Sequence, residues 1–268
     1  MKTTSSILFA ISCAFIKANA QQYEQSEYVV LPEFGGHTIY KPVNMGAFDA
    51  MPVMVWGNGA CSDNSLDHQN FLLEIASCGI VVIANGVPGG AGGSTNAQTM
   101  TASIDWATNN AGQGNWANMD ASRIAAAGMS CGGIEAYGNA LDSRVTAMGI
   151  FNSGQYDAGG TNANVPPINK PIFFFLGGES DIAYGNGMRD YAAVSSGVPT
   201  WVGNYPSGHG GTYHEPNGGA YGSAGAAYFR WVLRGDDSAA PYFTQNGAAA
   251  DGWTSQSKDL GNVNVSPI

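Results

Sequence analysis

Ser130 lies inside the run Arg123 to Gly133, RIAAAGMSCGG. A short apolar stretch, Ile124 to Ala127, meets Gly128-Met129-Ser130-Cys131-Gly132, and a helix-compatible segment, IEAYGNALDSR, follows. Strand, sharp turn and helix with a serine at the apex would lift a hydroxyl out of a sheet and into reach of a substrate. The glycines two before and two after the serine would let strand and helix pass closely. Glycine supplies 38 of the 268 residues, so the G-x-S-x-G pattern is weak by itself and its place at a strand-to-helix junction carries the weight. A serine hydroxyl is a poor nucleophile until a base takes its proton. That base is usually a histidine oriented by a carboxylate.

In the fold class that this strand–turn–helix pattern suggests, the chain order is serine, acid, histidine. His37 and His68 precede the serine, leaving His209, in Ser207-Gly208-His209-Gly210-Gly211, ahead of His214. The acid belongs on the loop after the preceding strand, where Gly177-Gly178-Glu179-Ser180-Asp181 offers Asp181 first and Glu179 as runner-up. Asp190, further on, reads as a solvated charge. Acyl transfer also needs two backbone N–H groups aimed at the developing oxyanion. Cys131, just after the serine, is one candidate. The small-residue run Gly57-Asn58-Gly59-Ala60 offers the other, with Ala60 preferred over Asn58 or Gly59. If both loops converge on one oxygen, Cys61 and Cys131 come close in space, either as a disulfide or as two buried thiols. Cys78 is then free and in the core.

The elements that must position these residues are legible as alternating runs. Tyr28 to Val30 and Thr38 to Tyr40 read as an opening hairpin around Pro32 to Gly36. Met51 to Trp56, Ile80 to Ala84, Ile124 to Ala127, Val145 to Phe151, Pro171 to Leu176 and Pro199 to Tyr205 read as strands, several of them continuously apolar as in a buried parallel sheet. Between them, Asn70 to Ser77, Ala97 to Asn109, the segment beyond Gly133, Tyr184 to Val194 and Gly219 to Arg234 read as helices. Asn85 to Thr95 is a glycine-rich loop whose ends are expected to face substrate. Gly154 to Pro167 reads as loop, and the tail after Gly235 as polar and irregular. This alternation predicts one α/β domain with an open, largely parallel sheet and helices on both faces.

Composition bounds the partners. Ten Lys and Arg against twenty Asp and Glu give a formal net charge of -10, which argues against nucleic acid or an anionic membrane surface. Met1 to Ala20 reads as a secretory signal: Lys2 at the start, SILFAISCAFI as the apolar core, and Ala18-Asn19-Ala20 as the cleavage site. That stretch is too short for a good membrane span. Cys13 falls in it, leaving Cys61, Cys78 and Cys131 in a mature chain that starts near Gln21. A glycosylation sequon, Asn264-Val265-Ser266, is weakened by Pro267.

With these residues placed, the chain resembles the α/β-hydrolase superfamily. Within it, the chain is similar to the branch of dienelactone hydrolase-like proteins and secreted polyester and lipid esterases. Asp120-Ala121-Ser122-Arg123-Ile124 ahead of Gly128 to Gly133 carries the lead-in to the nucleophile. Gly178 to Asp181 and Gly208 to Gly211 carry the acid and histidine loops. The chain departs from the branch at two places: serine stands where dienelactone hydrolases proper use cysteine, and Ala60 where its polyester hydrolases usually carry an aromatic. The resemblance implies a single-domain α/β-hydrolase fold over residues 21–268, without a large lid. It implies a secreted serine hydrolase of carboxylic esters, with Ser130 as nucleophile, His209 as base, Asp181 as its orienter, and Ala60 and Cys131 as oxyanion donors. No metal or organic cofactor is implied. The expected partner is a small or polymeric ester, met by a monomer in the extracellular space, with no nucleic acid or membrane partner. Trp56, Tyr156 and Tyr184 are candidates to line the site. A depolymerase of polyesters or plant cell-wall esters, cutinase-like, is the runner-up. A non-catalytic binding protein on the same fold is the rival from another class.

Overall fold

Residues 24–268 are described by a computed structural model. The expected leader, Met1 to Ala20, lies outside them, as does Cys13. The continuously apolar runs form the middle of a sheet, because a strand covered on both faces has no polar side to show. In chain order the strands and helices are β1 (Ser26–Val29), β2 (His37–Pro42), β3 (Met51–Gly57), α1 (Gln69–Ser77), β4 (Val81–Asn85), α2 (Ala97–Asn110), β5 (Met119–Met129), α3 (Cys131–Gly138), β6 (Val145–Phe151), α4 (Ala158–Asn164), β7 (Ile172–Leu176), α5 (Tyr184–Ala193), β8 (Thr200–Asn204), α6 (Gly219–Arg234), α7 (Pro241–Thr244), α8 (Gly247–Ala250) and β9 (Thr254–Lys258).

The strands join in the order β1-β2-β4-β3-β5-β6-β7-β8-β9. The six from β4 to β8 run parallel, while the pairings β1–β2, β2–β4 and β8–β9 toward the edges are antiparallel. The chain is therefore a single α/β unit with a mixed, mostly parallel sheet. Strand order reverses at β3, whose neighbours are β4 and β5. In open α/β sheets the crevice beyond the carboxyl ends of the strands, at such a switch point, is where ligands bind.

Side chains alternate between two cores. Met54 and Trp56 of β3 join Phe71 of α1 and Tyr221, Tyr228 and Phe229 of α6 on one face. Val53 and Val55 join Met100 and Ile104 of α2, Tyr137 of α3 and Tyr191 of α5 on the other. The first core is dense in aromatics: Phe151 stacks on Phe175 with ring centroids 4.3 Å apart, and Phe173 on Tyr228 at 4.2 Å. Such pairs add about 0.5–1.5 kcal/mol each beyond burial. They pack β6 and β7 against α6. Helix α2 starts at a capping box, Asn96 accepting from the N–H groups of Gln98 and Thr99 while Thr99 accepts from the N–H of Asn96.

Three segments differ from the sequence reading. Strand β5 begins at Met119 rather than near Ile124. Its polar first half is hidden from hydrophobic patterning, and the ladder to β3 slips register between Pro52 and Val53. The expected loop between Gly154 and Pro167 contains α4, a polar, glycine-bearing helix capped by Asp157, which accepts the N–H of Gly160 at 2.8 Å. The tail is not irregular throughout: β9, TSQSK, closes the sheet against β8. A solvent-facing edge strand is held by its backbone ladder and carries no apolar alternation. Cys78 is free and buried. Among the described residues no helix is long and apolar enough to cross a membrane.

Candidate active site

Ser130 sits between β5 and α3 with φ +53°, in the left-handed region that ordinary side chains avoid. Three features hold the turn there. The Ser130 N–H donates to the carbonyl of Phe151 at 2.9 Å, and the Ser130 carbonyl accepts from the N–H of Gly133 at 2.9 Å and from the Ser153 hydroxyl at 2.6 Å. The flanking glycines are sterically required. A methyl at Gly128 would lie 2.3 Å from the Gly132 carbonyl oxygen, and one at Gly132 would lie 2.0 Å from that of Gly57. No such carbon fits, so helix α3 presses directly on the ends of β3 and β5.

The ends of β7 and β8 bring in the acid and the base. His209 Nε2 lies 3.0 Å from Ser130 Oγ, and His209 Nδ1 lies 2.6 Å from Asp181 Oδ1. A carboxylate only accepts, so Nδ1 carries the proton. Nε2 is then free to accept from the serine hydroxyl. Asp181 is 3 % exposed. Burial alone would push its carboxyl up. The N–H groups of Ala183 and Gly177, the Asn152 amide and the His209 ring outweigh this and hold it below the ordinary carboxylate value. Both oxygens are fully engaged: Oδ1 accepts from Ala183 N–H and His209, Oδ2 from Gly177 N–H and Asn152. The alternatives lie elsewhere. Glu179 points to solvent, and His214 is exposed with its carbonyl accepting from Asn70 at 2.8 Å. Asp190 is not the solvated charge expected of it. It is fully buried, accepting from Tyr137, Thr161 and the Gln155 N–H, and burial raises its carboxyl.

The loop after β3 approaches the nucleophile from the other side. Ala60 and Cys61 are both left-handed, at φ +54° and +50°. Cys61 is disulfide-bonded to Cys131, with Cα atoms 5.1 Å apart. Cys131 opens α3, where backbone N–H groups have no partner within the helix. Further ties converge behind this loop. The Asn58 amide donates to the carbonyls of Asn85 and Ser62 and accepts from the Trp56 indole. The N–H of Thr95 donates to the Cys61 carbonyl. Buried Glu135 accepts from Asn85 and Thr95, each at 2.7 Å. The ends of the glycine-rich loop over 85–95, expected to face substrate, are taken up by these ties: the Asn85 carbonyl accepts from Asn58 and the Thr95 N–H donates to Cys61. The middle of the loop is engaged by Asp63, which accepts from the N–H groups of Ala91 and Gly93, and the loop does not line the cavity beside Ser130.

That cavity, about 180 Å³, is lined by Ser130, Ile134, Asn152, Tyr156, Ile182 and His209, among others. Tyr156 and Ile182 stand at its rim, 71 % and 81 % exposed. Of the other aromatic candidates, Trp56 is fully buried in the core and Tyr184 lines a different cavity with Glu179 and Asn204. Among the described residues no group of three or more His, Cys, Asp and Glu is placed to hold a metal ion. Asn152, Glu135 and Thr95 escaped sequence reasoning. Only the position of Asn152, directly after a strand flanked by the serine and acid strands, marks it in the chain. No protein-family model matches this chain, and no curated protein matches it.

Proposed function

We propose that this protein is a secreted serine hydrolase of carboxylic esters on an α/β-hydrolase fold. The observation that carries the reading is the hydrogen-bonded line from Ser130 Oγ through His209 to Asp181, at 3.0 and 2.6 Å, with the serine on a strained strand-to-helix turn. In the proposed reaction Ser130 Oγ attacks the ester carbonyl carbon as its proton passes to His209 Nε2. The carbonyl oxygen takes up negative charge facing the N–H groups of Cys131 and Ala60. The tetrahedral species collapses, His209 returns the proton to the departing alkoxide, and an acyl group remains on Ser130. Water, deprotonated by the same histidine, then releases the acid. Asp181 stays ionised throughout and fixes the ring.

Reaction with a fluorophosphonate, followed by peptide mapping, tests this reading. A label on Ser130 and turnover of p-nitrophenyl esters are expected. A folded sample without label would favour the binding-protein reading. Ser130→Ala should lower turnover by about 10⁴- to 10⁶-fold while leaving the melting temperature unchanged. One observation favours a polymer substrate as a second reading: Tyr156 and Ile182 present apolar surface at the rim of an open site. Release of soluble product from an insoluble polyester or cell-wall ester would separate it from small-ester hydrolysis.

A further inference from the structure

Asn152 lies one residue beyond the end of β6, between the strand that delivers Ser130 and the strand that delivers Asp181. It is fully buried, and its backbone is left-handed at φ +42°. Among residues other than glycine, asparagine enters that region most readily. Both ends of its side chain are engaged, the two Nδ2 protons being shared among three acceptors. Nδ2 donates to Asp181 Oδ2 at 2.8 Å, to the Tyr221 hydroxyl at 3.0 Å and to the carbonyl of Gly208, next to His209, at 3.2 Å. Oδ1 accepts from the Tyr213 hydroxyl at 2.5 Å.

The chemistry of these partners dictates the residue type twice over. The carboxylate and the Gly208 carbonyl only accept, so they require a donor. The Tyr213 proton requires an acceptor on the same group. Aspartate would oppose the carboxylate with a second negative charge, and glycine would suit the backbone but supply neither function. Tyr213 also fixes which way the amide faces, since its proton pins Oδ1 away from Asp181.

We infer that Asn152, held by Tyr213, is a positioning residue that joins the acid loop to the histidine loop and sets the charge that Asp181 presents to His209. This inference rests on the triad proposed above. The titratable groups packed around the carboxylate are His209 and the phenols of Tyr213 and Tyr221. Burial raises both phenols, so they stay neutral through the working range. Glu179, two residues before the acid, is exposed.

Asn152→Gly is the deciding variant, because it relieves the left-handed backbone and removes only the amide. The expected result is a kcat lowered about 10- to 100-fold with KM within about twofold. The acidic limb of the kcat/KM profile should move to higher pH, since a carboxylate with fewer donors holds a proton on the imidazole more tightly. The low-field proton resonance of His209 Nδ1–H should shift as well, a readout that needs no substrate. Tyr213→Phe should move limb and resonance in the same direction by less, and it carries the test if Asn152→Gly does not fold. A folded Asn152→Gly, or Tyr213→Phe in its place, with the parent's limb and resonance overturns the inference. A parent that neither labels at Ser130 nor turns over esters would instead overturn the proposed reaction, while the resonance still reports on Asn152.

Discussion

At the residue scale, the two carboxylates of the acid loop are told apart by their surroundings. Asp181 is buried under four donors, whereas Glu179 faces solvent. Asp181→Asn should therefore cost on the order of 10⁴-fold in kcat, because an amide can leave His209 in the wrong tautomer. Glu179→Gln should stay within about twofold of the parent. Steady-state kinetics on one p-nitrophenyl ester checks both, and a larger loss in Glu179→Gln would reassign the acid. Sequence alone favoured Asp181 over Glu179 but left both open, because two glycines ahead of them permit either turn. Burial and hydrogen bonding separate them, and two of the four donors, His209 and Asn152, lie 28 or more positions away.

At the scale of elements, the Cys61–Cys131 bond couples the loop after β3 to the first turn of α3. These are the two segments that would hold the oxyanion in the proposed reaction. The bond spans 70 residues of sequence, and a cross-link of that length restricts the unfolded chain by about 4 kcal/mol in the entropic account. Replacing both cysteines with serine should lower stability by about 2–4 kcal/mol in urea titrations. On the proposed reaction it should also reduce kcat by no more than the ~10²–10³-fold of one lost oxyanion donor. The other ties, through Asn58, Thr95 and Glu135, remain to hold the loop. An unchanged kcat in the folded double variant would mean that these ties suffice.

At the scale of the whole molecule, His68 is expected to couple stability to pH. It is buried against Trp56 and Tyr213, and its Nδ1 has no hydrogen-bond partner among the described residues. Burial pushes its ring down to about 3, with His214 adding to the effect. In the unfolded chain it takes up a proton near pH 6.5, so its contribution is complete above that value and is lost as pH falls toward 3. Between pH 7.5 and 4.5 the parent should lose about 5–10 °C more in melting temperature than His68→Phe, which removes this titration. Glu74, Glu135 and Asp190, which burial raises, act in the opposite sense, but equally in both chains. The depressed carboxyl of Asp181 contributes stability that is lost only as pH falls below the usual aspartate range, outside this window. Parallel melting curves would exclude His68 as the coupling group.

The sequence by itself determined what depends on neighbours along the chain. The serine turn was legible because its strand, glycines and helix are contiguous, and the parallel strands because burial on both faces leaves them continuously apolar. Their alternation with helices sufficed for the fold class. Tertiary structure alone decided what rests on distances between segments far apart in sequence. It brought His209 and Asp181 to Ser130, joined Cys61 to Cys131, and buried Asn152, Glu135 and Asp190 among polar partners. It also recruited the polar tail as an edge strand. A buried polar residue looks the same in a sequence as a solvated one. The difference arises only when the ends of parallel strands converge and close water out around it.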